Sequence, residues 1–182
     1  MTISNKLTIF RIVLVPFFVW FMLADFQNAN IYAVIIFALA SFTDYLDGYL
    51  ARSRNEVTNF GKFADPIADK ILVVSALVCL VERALIPSWA VIIIIAREFI
   101  VSGLRMSAAA QNIVIAADKF GKMKTVVQMI SIILLIIGIS VQSINNYYVP
   151  QILFYFSVVL TVFSGCSYII KGKDAIIDKK EN

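Results

Sequence analysis

Six apolar stretches follow one another through this chain, each close to the ~20 residues that span a bilayer's hydrocarbon core. They run from Leu7 to Ala24, Ile31 to Ala51, Lys62 to Val81, Pro87 to Ala109, Lys122 to Val141 and Val149 to Ile170. In lipid, every backbone N–H and C=O must be satisfied internally, so runs of this length read as helices. Composition agrees, because 60% of the 182 residues are hydrophobic and only 15% are charged, where a soluble domain carries about 25% charged residues. We expect an all-α integral membrane protein with six transmembrane helices, forming a single membrane-embedded domain over residues 1–182. The short connections predict that successive helices pack antiparallel. No small-residue cleavage site follows the first run, so that run is expected to remain as a helix.

Loop charges set the expected orientation. With the N-terminus in the cytoplasm, the cytoplasmic segments hold Lys6, Arg52, Arg54, Lys62, Lys119, Lys122 and Lys124, and the tail adds Lys171, Lys173, Lys179 and Lys180. The opposite loops hold Asp25, Glu82 and Arg83. This is a positive-inside bias with both termini cytoplasmic and Arg83 as its exception. The expected location is the plasma membrane, with multiple passes and the functional face toward the cytoplasm.

Four aspartates stand against this apolar background in the order D-x2-D-G-x2-A-R-x8-G-x3-D-x3-D: Asp44, Asp47, Gly48, Ala51, Arg52, Gly61, Asp65 and Asp69. An ionisable group at membrane depth costs roughly 2.5–3.5 kcal/mol on insertion scales and marks a functional site by default. Asp44 and Asp47 are i,i+3, and Asp65 and Asp69 are i,i+4, so each pair shares one helix face. The expected topology puts all four within roughly 5–12 Å of the cytoplasmic interface, given 1.5 Å of rise per residue. Four like charges need positive charge among them. Two hard divalent cations of the kind that clamp phosphoryl oxygens fit the need, and oxygen-only ligands favour magnesium, manganese or calcium over zinc. Gly48 leaves room beside Asp47 for a close ligand, and the Arg52 fork suits a phosphate.

The plainer alternative is structural. Asp65-Pro66 has the form of a helix start, with Asp at the N-cap and Pro at the first turn. Asp44 and Asp47 could pair with Arg52 or Arg54. Neither idea accounts for four acids together with both glycines and Arg52. The chain has no histidine, so acid–base and metal chemistry fall to carboxylates, Lys, Tyr or Cys. Cys79 and Cys166 stand alone in apolar runs and read as small buried hydrophobes.

These residues resemble the CDP-alcohol phosphotransferase family, whose defining pattern is filled here at every position, and the six-helix layout extends the resemblance over essentially the whole chain. It implies an integral membrane homodimer that moves a substituted phosphate from a CDP-linked donor to an alcohol and releases CMP. Two divalent cations, Mg2+ or Mn2+, are implied as cofactors. By position, Asp44, Asp47 and Asp65 match metal ligands. Asp69 matches the residue that both touches metal and takes the proton of the attacking hydroxyl. Gly48, Arg52 and Thr58 match donor contacts. Asn5-Lys6-Leu7-Thr8-Ile9-Phe10-Arg11 is similar to the family's N-x-L-T-x2-R element beside the nucleotide, with Asn5, Thr8 and Arg11 broadly on one face. The bland reading of those three is a polar helix start with a snorkelling Arg.

The acceptor is read from cations. Arg97 lies deep in the fourth segment, Arg105 lies two turns on, and Lys119, Lys122 and Lys124 cluster where the fifth begins. Taken singly, Lys122 and Lys124 read as interfacial residues. Arg97 at depth needs an anion even with Glu98 adjacent, and a phosphate on the acceptor would supply one. Arg97-Glu98-x6-Arg105 and Gly121-Lys122-x-Lys124-Thr125-x2-Gln128 resemble the family branch that uses CDP-diacylglycerol as donor and glycerol 3-phosphate as acceptor. Inositol phosphate or a cardiolipin-type acceptor stays open on charge alone. The expected partners are these two substrates and membrane lipids, with no nucleic acid. Two rival classes remain, a cation transporter with an acidic intramembrane site and a structural membrane subunit. The transporter leaves Gly48, Arg52 and the basic group unexplained, and turnover by the purified protein alone would exclude the subunit.

Overall fold

The computed structural model describes residues 3–54, 59–110, 119–141 and 148–177. They form six α-helices: α1 Ile3–Leu23, α2 Ala29–Arg54, α3 Asn59–Glu82, α4 Ser88–Ala110, α5 Lys119–Ser140 and α6 Val149–Ile177. No strand occurs among the described residues. By length and composition, three stretches are apolar enough to cross a membrane: Asn5–Leu23, Phe120–Ser140 and Val149–Ile170. A shorter apolar stretch, Ala29–Thr43, lies in α2 just ahead of the first aspartate pair.

All six expected segments are helical, and several helices outrun the apolar stretch that announced them. Lipid sets where a helix must be apolar, whereas backbone hydrogen bonding carries the helix on into polar flanks. The clearest case is α3, which begins at Asn59 and runs through Asp65 and Pro66. Asp65-Pro66 is therefore not the helix start that the plainer alternative needed. Pro16 likewise sits inside α1, where its missing N–H removes one helical hydrogen bond.

The chain forms two compact units. Met1–Leu85 with Ile132–Tyr148 make the first, and Ile86–Ser131 with Val149–Asn182 make the second. In the first unit α1 packs on both α2 and α3. Phe18 meets Phe37 at 5.7 Å between ring centroids, and Phe21 meets Tyr32 at 5.4 Å. The end of α1 thus lies beside the beginning of α2, so the two run antiparallel. Arg83, just past α3, reaches the Met22 and Ala24 carbonyls at the end of α1, so α1 and α3 run parallel. An apolar recess of about 360 Å³ lies between these two helices, lined by Val19, Leu23, Val74 and Val78 with Cys79 and Glu82. Asn30 Nδ2 approaches Ser140 Oγ at 3.4 Å, joining α2 to the end of α5.

In the second unit α4 packs on α6. Trp89 stacks on Tyr155 near the start of both, and Arg97 and Arg105 then meet Ser164 and Tyr168 further along. Contacts that advance together along both chains mean parallel helices, as two runs separated by one return helix must be. The contact face of α6 carries hydroxyls at helical spacing. Ser157, Thr161 and Ser164 are buried and donate back to the carbonyls of Phe154, Ser157 and Thr161. Such local bonds let small polar side chains line a helix contact without an orphaned donor. Cys79 is buried as expected, but Cys166 is exposed. It lies on α6 between Gly165 and Ser167, turned from the face that holds Ser164, and lipid tolerates an outward thiol as readily as a core does.

Candidate active site

The first unit sets the level of the aspartates through backbone geometry alone. Its three helices meet at one end through the Phe21–Tyr32 and Met22–Arg83 contacts. Asp44 and Asp47 follow Tyr32 by 12 and 15 residues, and Asp69 and Asp65 precede Arg83 by 14 and 18. Asn5 and Thr8 precede Phe21 by 16 and 13. At 1.5 Å per residue, all six positions lie roughly 18–27 Å along their helices from that common end. Gly48 and Arg52 belong to the same far end of α2. Two antiparallel helices and the N-terminal turns of α1 therefore carry both aspartate pairs and the Asn5–Arg11 element to one end of the unit. The side chains of Asp44, Asp47, Arg52, Asp65 and Asp69, and Thr58 altogether, lie outside the described residues. Among the described residues no cluster of acidic, Cys or His side chains forms a metal site.

The α1 element is described in full. Asn5, Thr8 and Arg11 are buried, the last two completely, while Lys6, Ile9, Phe10, Ile12 and Val13 between and after them are exposed. The spacing i, i+3, i+6 thus becomes one inward face. A snorkelling Arg11 would extend toward the polar boundary. Here the whole guanidinium is enclosed.

The basic residues of the second unit gather around Glu98 and Tyr168. Arg97 Nη1 donates to Glu98 Oε1 at 3.0 Å, and Lys124 Nζ donates to the same oxygen. Arg97 Nη2 donates to Ser164 Oγ at 2.8 Å. The Tyr168 ring contacts two guanidiniums, its centroid 5.6 Å from Arg97 Cζ and 4.9 Å from Arg105 Cζ, and the Tyr168 hydroxyl accepts from Arg105 Nη2. Cation–π attraction strengthens as such a group is desolvated. Lys124 is almost wholly buried, at 4% side-chain exposure.

This corrects one step of the sequence argument. Arg97 does not look elsewhere for its anion, because the adjacent Glu98 serves both Arg97 and Lys124. Adjacent positions on a helix diverge, but long side chains close the angle when burial makes an unpaired charge costly. The Arg97 Nε remains buried without a hydrogen-bond partner among the described residues. The five basic residues also separate. Arg97, Arg105 and Lys124 share the cluster, Lys122 is exposed on α5, and the side chain of Lys119 lies outside the described residues. Glu98 bridges two of these cations, Arg97 and Lys124, while Arg105 joins the cluster through Tyr168.

The sequence reading missed the part α6 plays. Ser164, Gly165 and Tyr168 all meet the arginines of α4, and the signal was a small-polar-aromatic group at helical spacing within an apolar run.

A family model described as CDP-alcohol phosphatidyltransferase matches residues 1–163. The chain is 41% identical to a Bacillus subtilis protein named CDP-diacylglycerol–glycerol-3-phosphate 3-phosphatidyltransferase, over 96% of each chain. It is 39% identical to a Haemophilus influenzae protein of the same name, over 94% of each, and 37% identical to one from Salmonella paratyphi A, over 97% of this chain and 98% of the other.

Proposed function

The chain belongs to the CDP-alcohol phosphatidyltransferase family, and we propose that it transfers a phosphatidyl group from CDP-diacylglycerol to glycerol 3-phosphate. The products are phosphatidylglycerophosphate and CMP. The relatives' names support the substrates, and the apolar helices support a membrane setting. The observation that carries the reading is the complete aspartate motif, laid on two antiparallel helices so that both pairs fall at one level.

Asp44, Asp47, Asp65 and Asp69 would hold two divalent cations, Mg2+ or Mn2+, because the donor set is all oxygen and both pairs reach one end of the unit. When bound, the cations supply charge neutralisation at the phosphoryl oxygens and the departing CMP. Asn5, Thr8, Arg11, Gly48, Arg52 and Thr58 hold the CDP moiety while the acyl chains stay in the bilayer. Arg97, Arg105 and Lys124 hold the acceptor's phosphate, with Lys119 and Lys122 adding positive charge at the start of α5. The acceptor's primary hydroxyl attacks the β-phosphorus. Its oxygen forms the new P–O bond, the bond to the bridging pyrophosphate oxygen breaks, and Asp69 takes the hydroxyl proton. No covalent enzyme intermediate is needed, since the chain has no histidine and no Cys or Ser among the described residues is placed as an evident nucleophile. The protein works as a six-span homodimer in the plasma membrane, with both termini and the reaction on the cytoplasmic side.

The test is a panel of acceptors offered to purified protein in detergent with one radiolabelled CDP-diacylglycerol. Glycerol 3-phosphate should give lipid product and stoichiometric CMP with Mg2+ or Mn2+, and a chelator should stop both. Preference for inositol phosphate or phosphatidylglycerol would move the chain to another branch of the family.

A further inference from the structure

Three residues of α6 hold the arginines of α4, and none belongs to the aspartate motif or to the basic group. All three lie just past residue 163, where the family match ends. Ser164 Oγ donates its proton to the Thr161 carbonyl at 3.2 Å. With that proton engaged, its lone pairs are left to accept from Arg97 Nη2. Gly165 supplies room. A Cβ there would stand 3.0 Å from Arg97 Cγ, closer than side chains normally approach. Tyr168 is buried, presents its ring to both guanidiniums and accepts from Arg105.

We propose that Ser164, Gly165 and Tyr168 are positioning residues, which fix the Arg97 and Arg105 guanidiniums in the arrangement that receives the acceptor's phosphate. The proposal rests on the reading that these arginines bind that phosphate. An arginine side chain has four rotatable bonds, and immobilising it on binding weakens affinity. A ring that contacts two guanidiniums meets that loss in advance, as preorganisation does generally. Packing of α4 on α6 alone would ask only for an apolar residue at 168 and any small residue at 165.

The experiment measures KM for glycerol 3-phosphate and for CDP-diacylglycerol separately, with thermal midpoints, in Tyr168→Phe, Tyr168→Leu, Gly165→Ala and Arg105→Gln. Tyr168→Leu should raise the glycerol 3-phosphate KM about tenfold while the donor KM moves less than about twofold. Tyr168→Phe keeps the ring face and loses the hydroxyl, so it should fall between parent and Leu. Gly165→Ala should shift the same constant in the same direction. Should Tyr168→Leu fail to fold, the Phe and Gly165 variants decide. Equal rises in both KM values, or a fall in midpoint with neither KM changed, would overturn the positioning role. A selective rise in Arg105→Gln with parental values in the α6 variants would overturn it too, and leave the acceptor reading standing. No rise in Arg105→Gln itself would remove the acceptor reading, and the proposal with it.

Discussion

Arg83 Nε donates to the carbonyl oxygen of Met22 at 3.0 Å, so the turn that ends α3 also closes the C-terminus of α1. Nη2 adds a bond to the Ala24 carbonyl at 3.3 Å and lies 3.6 Å from Asp25. The last carbonyls of a helix lack intrahelical partners and carry the negative end of its dipole. A guanidinium meets both needs. Arg83 is the loop cation that the expected positive-inside orientation leaves on the opposite side, and these bonds give it a structural role there.

Arg83→Leu should therefore destabilise the first unit by about 1–2 kcal/mol, the worth of a charged hydrogen bond at a helix end. The thermal midpoint in detergent should fall, while turnover at low temperature stays near the parent's. Asp25→Asn should change little, because its carboxylate is 91% exposed and exposed ion pairs contribute weakly. A midpoint unmoved by Arg83→Leu would show that water caps α1 equally well.

The same turn contains an opportunity for stabilisation. Leu85 N–H bonds the Leu80 carbonyl and Ala84 N–H the Val81 carbonyl, the paired bonds of a left-handed helix cap. Ala84 occupies the left-handed position, with φ 55°, where a Cβ costs roughly 1–2 kcal/mol relative to glycine. Ala84→Gly should raise the midpoint, with a gain of up to about 1 kcal/mol after the added unfolded-state entropy is discounted. A lower midpoint would mean that the entropy term wins.

The legible parts of this molecule are those governed by one helix at a time. Apolar runs announced all six helices because lipid leaves the backbone no alternative. The inward face of Asn5, Thr8 and Arg11 followed from spacing within α1. What escaped were contacts between helices distant in sequence. Arg83 was read as a stray loop charge because its partners lie 59 and 61 residues away. Tyr168 was invisible because an aromatic in an apolar run is ordinarily core, and only the α4–α6 packing turns its ring to two arginines. The start of α3 was ambiguous because Asp-Pro favours a helix start locally, yet the helix entered from Asn59.

Asp69→Asn should abolish turnover and leave CDP-diacylglycerol binding partly intact. Asn keeps a metal-binding oxygen but has lost the charge and basicity that accept a proton. Single-turnover CMP release, read beside donor binding, checks this. Near-parental rates would exclude Asp69 as the base.

Glu98 and Lys124 provide a coupled test of the second unit. Lys124 is the more buried partner, at 4% against 26% for the Glu98 side chain. Lys124→Met removes a buried cation but leaves Glu98 its bond from Arg97, so the cost should stay near 1–2 kcal/mol, below the roughly 3–5 kcal/mol of a fully orphaned charge. Glu98→Gln should cost more, because it strips the anion from two cations at once. The double variant should lose less than the sum, since each single change leaves behind a charge that the other removes. On the proposed seating of the acceptor's phosphate between Arg97 and Lys124, added glycerol 3-phosphate should stabilise Glu98→Gln more than it stabilises the parent. Thermal midpoints of the four proteins, with and without acceptor, give both readings. Strict additivity would place the two side chains in separate electrostatic environments, and equal stabilisation by acceptor would place its phosphate away from this cluster.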